Sequence, residues 1–297
     1  MEQASAQINL KNILFLTDFS EPSSAALPYA VTLARKYGAT VHALHVLTPE
    51  PAACRTPSLA SLAAESREEF AQIEMQRVES ALVGVAHEAN ILRDAAVWPG
   101  LERSLRECQA DMVVIGTHGR TGAEKALLGS VAEEIFRKAG LPVLTIGPGV
   151  SPRVHNAARF RRVLLATDFS PDSLVAVPYA LSLAQDSEAR LILVHVISKR
   201  AQTERPADPE LSVAAAMHNL HELVPPDAEI WCRPEAVVEY GEPAERILHT
   251  AKDRDADLIV LGVRDAAGHL SAATHLERTT AHKVVARAKC PVLTVRG

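Results

Sequence analysis

This 297-residue sequence is poor in aromatic residues and cysteines, carries little net charge, and has no long hydrophobic run. Aromatic residues make up only 4%, so the core must be built from aliphatic side chains within a hydrophobic content of 47%. No apolar stretch approaches the roughly 18 residues that a membrane-spanning helix needs. A net charge of −5 does not provide the basic surface that contact with a nucleic-acid backbone requires. A membrane protein and a nucleic-acid-binding protein are therefore both disfavoured.

The cysteines and the amino terminus predict the compartment. The four cysteines show neither CxxC nor metal-ligand spacing, so we expect reduced thiols and no metal centre: Cys54, Cys108, Cys232 and Cys290. The first residues, MEQASAQ, contain neither the basic nor the apolar segment of a secretory signal. Together these features predict a cytoplasmic protein.

The sequence repeats itself. NILFLTDFS at 12–20 recurs as RVLLATDFS at 162–170, and PVLTI at 142–146 returns as PVLTV at 291–295. Further matches keep the same order at nearly the same spacing, which indicates a tandem of two homologous domains. Glycines and prolines at 147–152 mark the junction, so we predict domains at 1–150 and 151–297.

Apolar runs alternate with amphipathic patterns in each half, which is typical of βαβ units around a parallel sheet. Pro28 and Pro178 fall inside the first helix of their repeats, so we expect the same kink in both. In the first half we predict strands near 12–17, 41–46, 91–97, 111–116 and 142–146, and helices near 21–37, 58–89, 100–109 and 130–139. In the second half we predict strands near 162–167, 191–196, 229–238, 257–262 and 291–295, and a shorter second helix near 208–223.

The pattern with the most functional content is Gly-x2-Gly-x9-Gly-Ser, between a buried-looking strand and an amphipathic helix. Glycine lets the backbone approach a ligand closely, and the amides at a helix start attract an anion. This arrangement predicts a phosphate site. A capping box is the alternative, because Ser130 with Glu133 three residues later would stabilise a helix start without any ligand.

These motifs resemble the universal stress protein family. The resemblance rests on Thr-Asp-Phe-Ser after the first strand, His-Val ending the second, the glycine loop, and the terminal Pro-Val-Leu-Thr-Ile. It covers nearly the whole chain and implies an α/β fold of two tandem domains. Each would hold a five-stranded parallel sheet of order 3-2-1-4-5 with helices on both faces. Ligands bind such sheets where the strand order reverses, outside the carboxyl ends of the strands.

The resemblance further implies that the first half binds ATP, with Mg²⁺ bridging the phosphates rather than occupying a protein site of its own. The implied adenine and ribose contacts, with one neighbour, are Thr17, Asp18, Val46, Ile115 and Gly116. The implied phosphate contacts are Gly119, Gly129, Ser130 and Val131.

The second half departs from this pattern where phosphates would bind. Asp265 stands at the position of Gly119, and Arg278 at the position of Gly129. A carboxylate repels a triphosphate, and a side chain fills space that the backbone approach needs. We therefore expect the second half to bind no ATP, or to bind another ligand.

Three functions fit these residues. The first is a stress-response module whose ATP occupancy is recognised by an unknown protein partner, and the second is a slow ATPase or self-phosphorylating enzyme. The third is a ligand-free interaction scaffold. No carboxylate of the glycine loop is an obvious base, so we assign no catalytic residue and expect weak ATP hydrolysis at most. Family members commonly pair through their last strands, which implies an intramolecular pseudo-dimer here; a homodimer of the whole chain stays open.

Overall fold

The computed structural model describes residues 8–49, 57–117, 128–150, 159–198, 209–264 and 279–296. Strands and helices alternate through the first half of the chain. The strands are β1 Asn12–Leu16, β2 Thr40–Leu47, β3 His87–Arg93, β4 Met112–Gly116 and β5 Val143–Ile146. The helices are α1 Glu21–Tyr37, α2 Pro57–Ala81, α3 Val97–Glu107 and α4 Ser130–Lys138.

The second half follows the same plan, with its first helix split in two. Its strands are β6 Arg162–Ala166, β7 Arg190–Ile197, β8 Glu235–Tyr240, β9 Leu258–Val263 and β10 Val292–Arg296. Its helices are α5 Pro171–Leu174, α6 Val177–Ser187, α7 Pro209–Glu222, α8 Ala228–Trp231, α9 Pro243–Asp253 and α10 Thr280–Arg287.

The strands form one sheet in the order β3-β2-β1-β4-β5-β10-β9-β6-β7-β8. Each half is parallel with the order 3-2-1-4-5, which confirms the predicted fold. The halves meet where β5 and β10 pair antiparallel, as expected for an intramolecular pseudo-dimer. Because the two half-sheets run in opposite directions, the carboxyl ends of their strands lie at opposite edges of the sheet.

Buried hydroxyl groups reinforce this junction. The Thr145 Oγ1 atom donates to the Val292 carbonyl at 3.0 Å, and the Thr294 Oγ1 atom donates to the Val143 carbonyl at 3.4 Å. The core on both sides of the sheet is aliphatic, with Ile13 and Leu164 among its fully buried members. No helix in the described part of the chain combines the length and apolar character needed to cross a membrane.

The sheet's edge strands differ from their predicted positions. β3 begins at His87 rather than 91, because α2 ends at Ala81 and Gly84 turns the chain with a φ of 86°. β8 begins at Glu235 rather than 229, because Ala228–Trp231 forms a helical turn and Pro234 precedes the strand. Both strands alternate or mix polar and apolar residues, so periodicity located them less accurately than the buried strands.

The two repeats accommodate their helix prolines differently. Pro28 lies within the continuous 17-residue helix α1. Pro178 instead lies in the first turn of α6, after α5 has ended at Leu174. A proline in a first turn sacrifices no helical hydrogen bond. The expected common kink is therefore wrong for the second repeat, where the helix is interrupted.

Candidate functional site

The turn after β1 is held by hydrogen bonds from its own side chains. Phe19 has a left-handed φ of 63°. The Thr17 hydroxyl oxygen accepts from the Phe19 amide at 3.0 Å and from the Ser23 hydroxyl at 2.8 Å. One Asp18 carboxylate oxygen accepts from the Ser20 amide at 3.0 Å and from the Ser20 hydroxyl at 2.5 Å. These bonds fix the Asp18 carboxylate where the strand ends.

His45, near the end of β2, supports the same turn. Its Nδ1 atom lies 2.7 Å from the Thr17 carbonyl oxygen. Because a carbonyl oxygen only accepts, Nδ1 must carry the proton in this contact. The imidazole ring also stacks obliquely on Phe19, with ring centroids 4.4 Å apart. This histidine therefore helps to position the turn.

The end of β4 approaches the start of α1 very closely. A Cβ atom added to Gly116 would lie 2.6 Å from the carbonyl atoms of Pro22 and 2.6 Å from the Ser23 amide. Only glycine permits this approach between strand and helix. Gly116 thus sets the spacing between the carboxyl end of β4 and the start of α1, in addition to any contact with a ligand.

The amino terminus of α4 has no side chain to cap it. The N-cap residue is Gly129, with φ −60° and ψ 150°, and no side-chain cap hydrogen bond forms. The Gly129 amide donates to the Thr117 carbonyl at 2.7 Å, so this amide is already bonded within the protein. The next amides, those of Ser130, Val131 and Ala132, belong to the first turn and have no intrahelical acceptor. The capping-box interpretation is wrong, because Ser130 already lies inside the helix.

The turn, the strand ends and the α4 amides line one crevice of about 120 Å³. Eight of the nine predicted site residues line it: Thr17, Asp18, Val46, Ile115, Gly116, Gly129, Ser130 and Val131. The ninth, Gly119, lies outside the described residues. Most of the crevice wall is apolar, and its polar groups are Asp18, the start of α4, and the side chains of Thr17, Ser23, His45 and Thr117.

The crevice also contains residues that the sequence did not single out. Val97, the first residue of α3, lines the wall, and so do Leu16 and Ala132. The first turn of α3 is far in sequence from the other elements, so no motif spacing could have indicated Val97. Within the described residues, no three His, Cys, Asp or Glu side chains group together as metal ligands would.

The second half has an equivalent crevice of about 170 Å³. Its strand-end turn repeats the first one closely. The Thr167 hydroxyl accepts from the Phe169 amide at 2.9 Å, and Asp168 accepts from the Ser170 amide at 3.0 Å and from its hydroxyl at 2.5 Å. His195 Nδ1 lies 2.9 Å from the Thr167 carbonyl oxygen. Burial raises the pKa of Asp168, but the Ser170 hydrogen bonds outweigh it, so this pKa lies below its usual value.

The helix start beside this second crevice is capped. Thr279 is the N-cap of α10, and its hydroxyl accepts from the His282 amide at 3.2 Å. The cap residue is therefore Thr279 and not Arg278, which was predicted to take the place of Gly129; Arg278 and Asp265 both lie outside the described residues. Arg264 Nε lies 3.2 Å from an Asp172 carboxylate oxygen, forming an ion pair at the crevice.

Comparison with known proteins identifies the family. A model of the universal stress protein family matches residues 9–147 and 159–296. A universal stress protein of Mycolicibacterium smegmatis is 28% identical, over 96% of this chain and 96% of its own length. One from Mycobacterium tuberculosis is 30% identical over 63% of this chain, and the alignment spans only 62% of that relative.

A solved structure has the same fold over nearly the whole chain. It is the crystal structure of a universal stress protein from Archaeoglobus fulgidus, with a TM-score of 0.68, 22% identity, and coverage of 96% of this chain and 98% of that one. The family model matches each half separately and together the matches cover most of the sequence. This chain therefore belongs to the universal stress protein family and contains two tandem domains of it.

Proposed function

We propose that this chain is a cytoplasmic regulatory protein that binds ATP in its first domain, residues 1–150. In this proposal, nucleotide occupancy changes a surface that a protein partner recognises. The observation that carries the proposal is the uncapped start of α4, whose first-turn amides border an apolar crevice. Helix starts whose amides lack side-chain caps are suited to phosphate groups.

The residues of the crevice suit the parts of ATP. The Ser130 and Val131 amides, with the Ser130 hydroxyl, would bind phosphate oxygens. Val46 and Ile115 offer apolar surface to a base, and the Asp18 carboxylate would accept a hydrogen bond from an exocyclic amino group. Gly119 would extend the phosphate site from the adjoining loop. Mg²⁺ would be bound by phosphate oxygens and water, since it usually keeps several of its waters.

Isothermal titration of the full-length protein with Mg-ATP tests the proposal, together with the variant Gly129→Asp. The φ and ψ of Gly129 are ordinary for any residue, and aspartate is a preferred N-cap, so the variant should keep its fold. Its carboxylate would cap α4 and repel phosphate by about 1–4 kcal/mol at 4 Å. We expect ATP affinity to fall at least tenfold, with an unchanged or higher melting temperature.

The matched control is Thr279→Asp, which changes the cap of α10 in the second half by the same chemistry. It should leave ATP affinity unchanged. An equal loss of ATP affinity in Gly129→Asp and Thr279→Asp would mean that the nucleotide binds at another site. No ATP binding by the wild-type chain would refute the proposal and favour the ligand-free scaffold.

A second measurement separates binding from turnover. Acid extraction of the purified protein should release ATP from the wild-type chain and not from Gly129→Asp. Incubation with Mg-ATP should then produce little ADP, because no described carboxylate of the crevice other than the hydrogen-bonded Asp18 could act as a base. Rapid ADP formation that Gly129→Asp abolishes would favour the enzyme instead.

A further inference from the structure

We infer that the crevice of the second domain is a binding site of its own, for an uncharged nucleoside without phosphates. The inference rests on the proposed function of the first crevice, and it assigns a different ligand class to the second. It depends on a comparison of the two crevices at their two ends: the strand-end turn and the helix start.

The strand-end turn is the same in both crevices. The hydroxyl, carboxylate and imidazole contacts of Thr17, Asp18 and His45 recur at Thr167, Asp168 and His195 with distances that agree within 0.2 Å. Phe169 repeats the left-handed φ and stacks on His195, with ring centroids 4.6 Å apart. If this end of the first crevice binds a base, the second offers a base the same carboxylate in the same position.

The apolar wall is also retained. Val194, Ile247 and Leu261 are buried residues of the second crevice, and Val196 occupies the place that Val46 has in the first. The residues expected to fill this site, Asp265 and Arg278, lie outside the described residues, and the described lining leaves a crevice of about 170 Å³. A flat heterocycle would cover the apolar wall there.

The helix end of the crevice no longer suits a polyphosphate. The Thr279 hydroxyl takes one first-turn amide of α10, where the first domain has glycine. Asp172 replaces Pro22 and pairs with Arg264, so the cation beside the crevice already has a carboxylate partner. The Thr279 cap therefore leaves one fewer first-turn amide for a phosphate than the first crevice offers, and Arg264 is already paired. A nucleoside without phosphates needs neither group, whereas a triphosphate loses these contacts.

Hydrogen exchange of the full-length Gly129→Asp protein with adenosine and with Mg-ATP tests the inference. That variant weakens the first site and leaves the second unchanged. We expect adenosine to slow amide exchange in peptides covering 166–170 and 279–282, and ATP to do so at least tenfold less effectively. Adding Asp168→Asn, which removes the charge but keeps an oxygen to accept from Ser170, should weaken the adenosine effect at least tenfold.

Wild-type protein distinguishes failure of this inference from failure of the proposed function. ATP protection of 128–133 without adenosine protection in the second domain would overturn the inference alone. Equal protection of the second domain by ATP and adenosine would overturn the claimed discrimination. Adenosine protection that survives Asp168→Asn unchanged would show that the ligand does not use this carboxylate, and would also overturn the inference.

Discussion

Gly262 lies very close to the main chain of α5, and replacing it with a larger residue should destabilise the protein. A Cβ atom there would lie 2.1 Å from the Asp172 carbonyl oxygen and 2.5 Å from the Ser173 Cα atom. The equivalent distances at Gly116 begin at 2.6 Å. All these neighbours are backbone atoms, so no side-chain rotation can relieve the contact. Overpacking of this kind costs about 1–3 kcal/mol.

We therefore expect Gly262→Ala to lower the free energy of unfolding by about 2–3 kcal/mol and Gly116→Ala by about 1–2 kcal/mol. A loss of 1 kcal/mol shifts the melting temperature of a protein of this size class by roughly 2–4 °C. Gly262→Ala should then melt about 4–12 °C below wild type. Thermal and urea unfolding followed by circular dichroism would measure both variants.

Gly140→Ala is the matched control, because nothing lies within 4 Å of a Cβ atom at that position. Its φ is not left-handed, so alanine should be neutral or stabilise by up to about 1 kcal/mol. Equal destabilisation in all three variants would mean that lost backbone freedom, and not close approach, explains the effect. A Gly262→Ala variant as stable as the wild-type protein would refute the packing argument directly. Gly116→Ala should also weaken ATP binding, whereas Gly262→Ala should not.

Four further substitutions probe buried or partly buried polar contacts. Thr145→Val removes a hydroxyl donor from the junction of the half-sheets and should cost about 1 kcal/mol in urea unfolding, with a smaller loss for Thr294→Val, whose bond is longer. Burial and the hydrogen bond to Asp186 raise the pKa of Tyr37 above its usual 10.0. The contribution of this phenol to the free energy of unfolding is therefore fully present below pH 10 and is lost as the pH rises above 10. Tyr37→Phe should flatten this loss in denaturation midpoints compared between pH 9 and 11. Asp257→Ala removes the carboxylate that accepts from the main-chain amides of Arg161 and Arg162, at the start of β6, and should cost about 1.5–3 kcal/mol by the same unfolding assay.

The sheet was predictable because its central strands are buried on both faces. β1, β4, β6 and β9 are short apolar runs that recur in both repeats, so their positions followed from the sequence, whereas their order in the sheet came from the resemblance to the family. The edge strands β3 and β8 were predicted several residues away from their true starts. Each has one partner strand and a partly exposed face, so packing, rather than local pattern, decides where it begins.

The candidate site was predictable where it depends on motifs and unpredictable where it depends on helix register. The glycine loop was identified from the residues themselves, and the strand-end turn of the first crevice was identified through the resemblance to the family. The cap of α10 was not, because matching the repeats by position aligns Arg278 with Gly129, while the helix begins after Thr279. Val97 was missed because the fold alone brings the start of α3 to this crevice.

The divergence of the two domains follows from how strongly each position is constrained. Asp168, Thr167 and Gly262 hold the turn and the strand–helix approach together whether or not a ligand binds, so their counterparts persist in both halves. The cap position is different, because the amides of a helix start need a partner of some kind. In the second domain the Thr279 hydroxyl supplies one from within the chain. In the first domain, Gly129 supplies no cap, so the amides of α4 are left for a ligand. The cap position was therefore able to diverge between the two domains, whereas the fold itself requires the residues that hold the turn and the strand–helix approach.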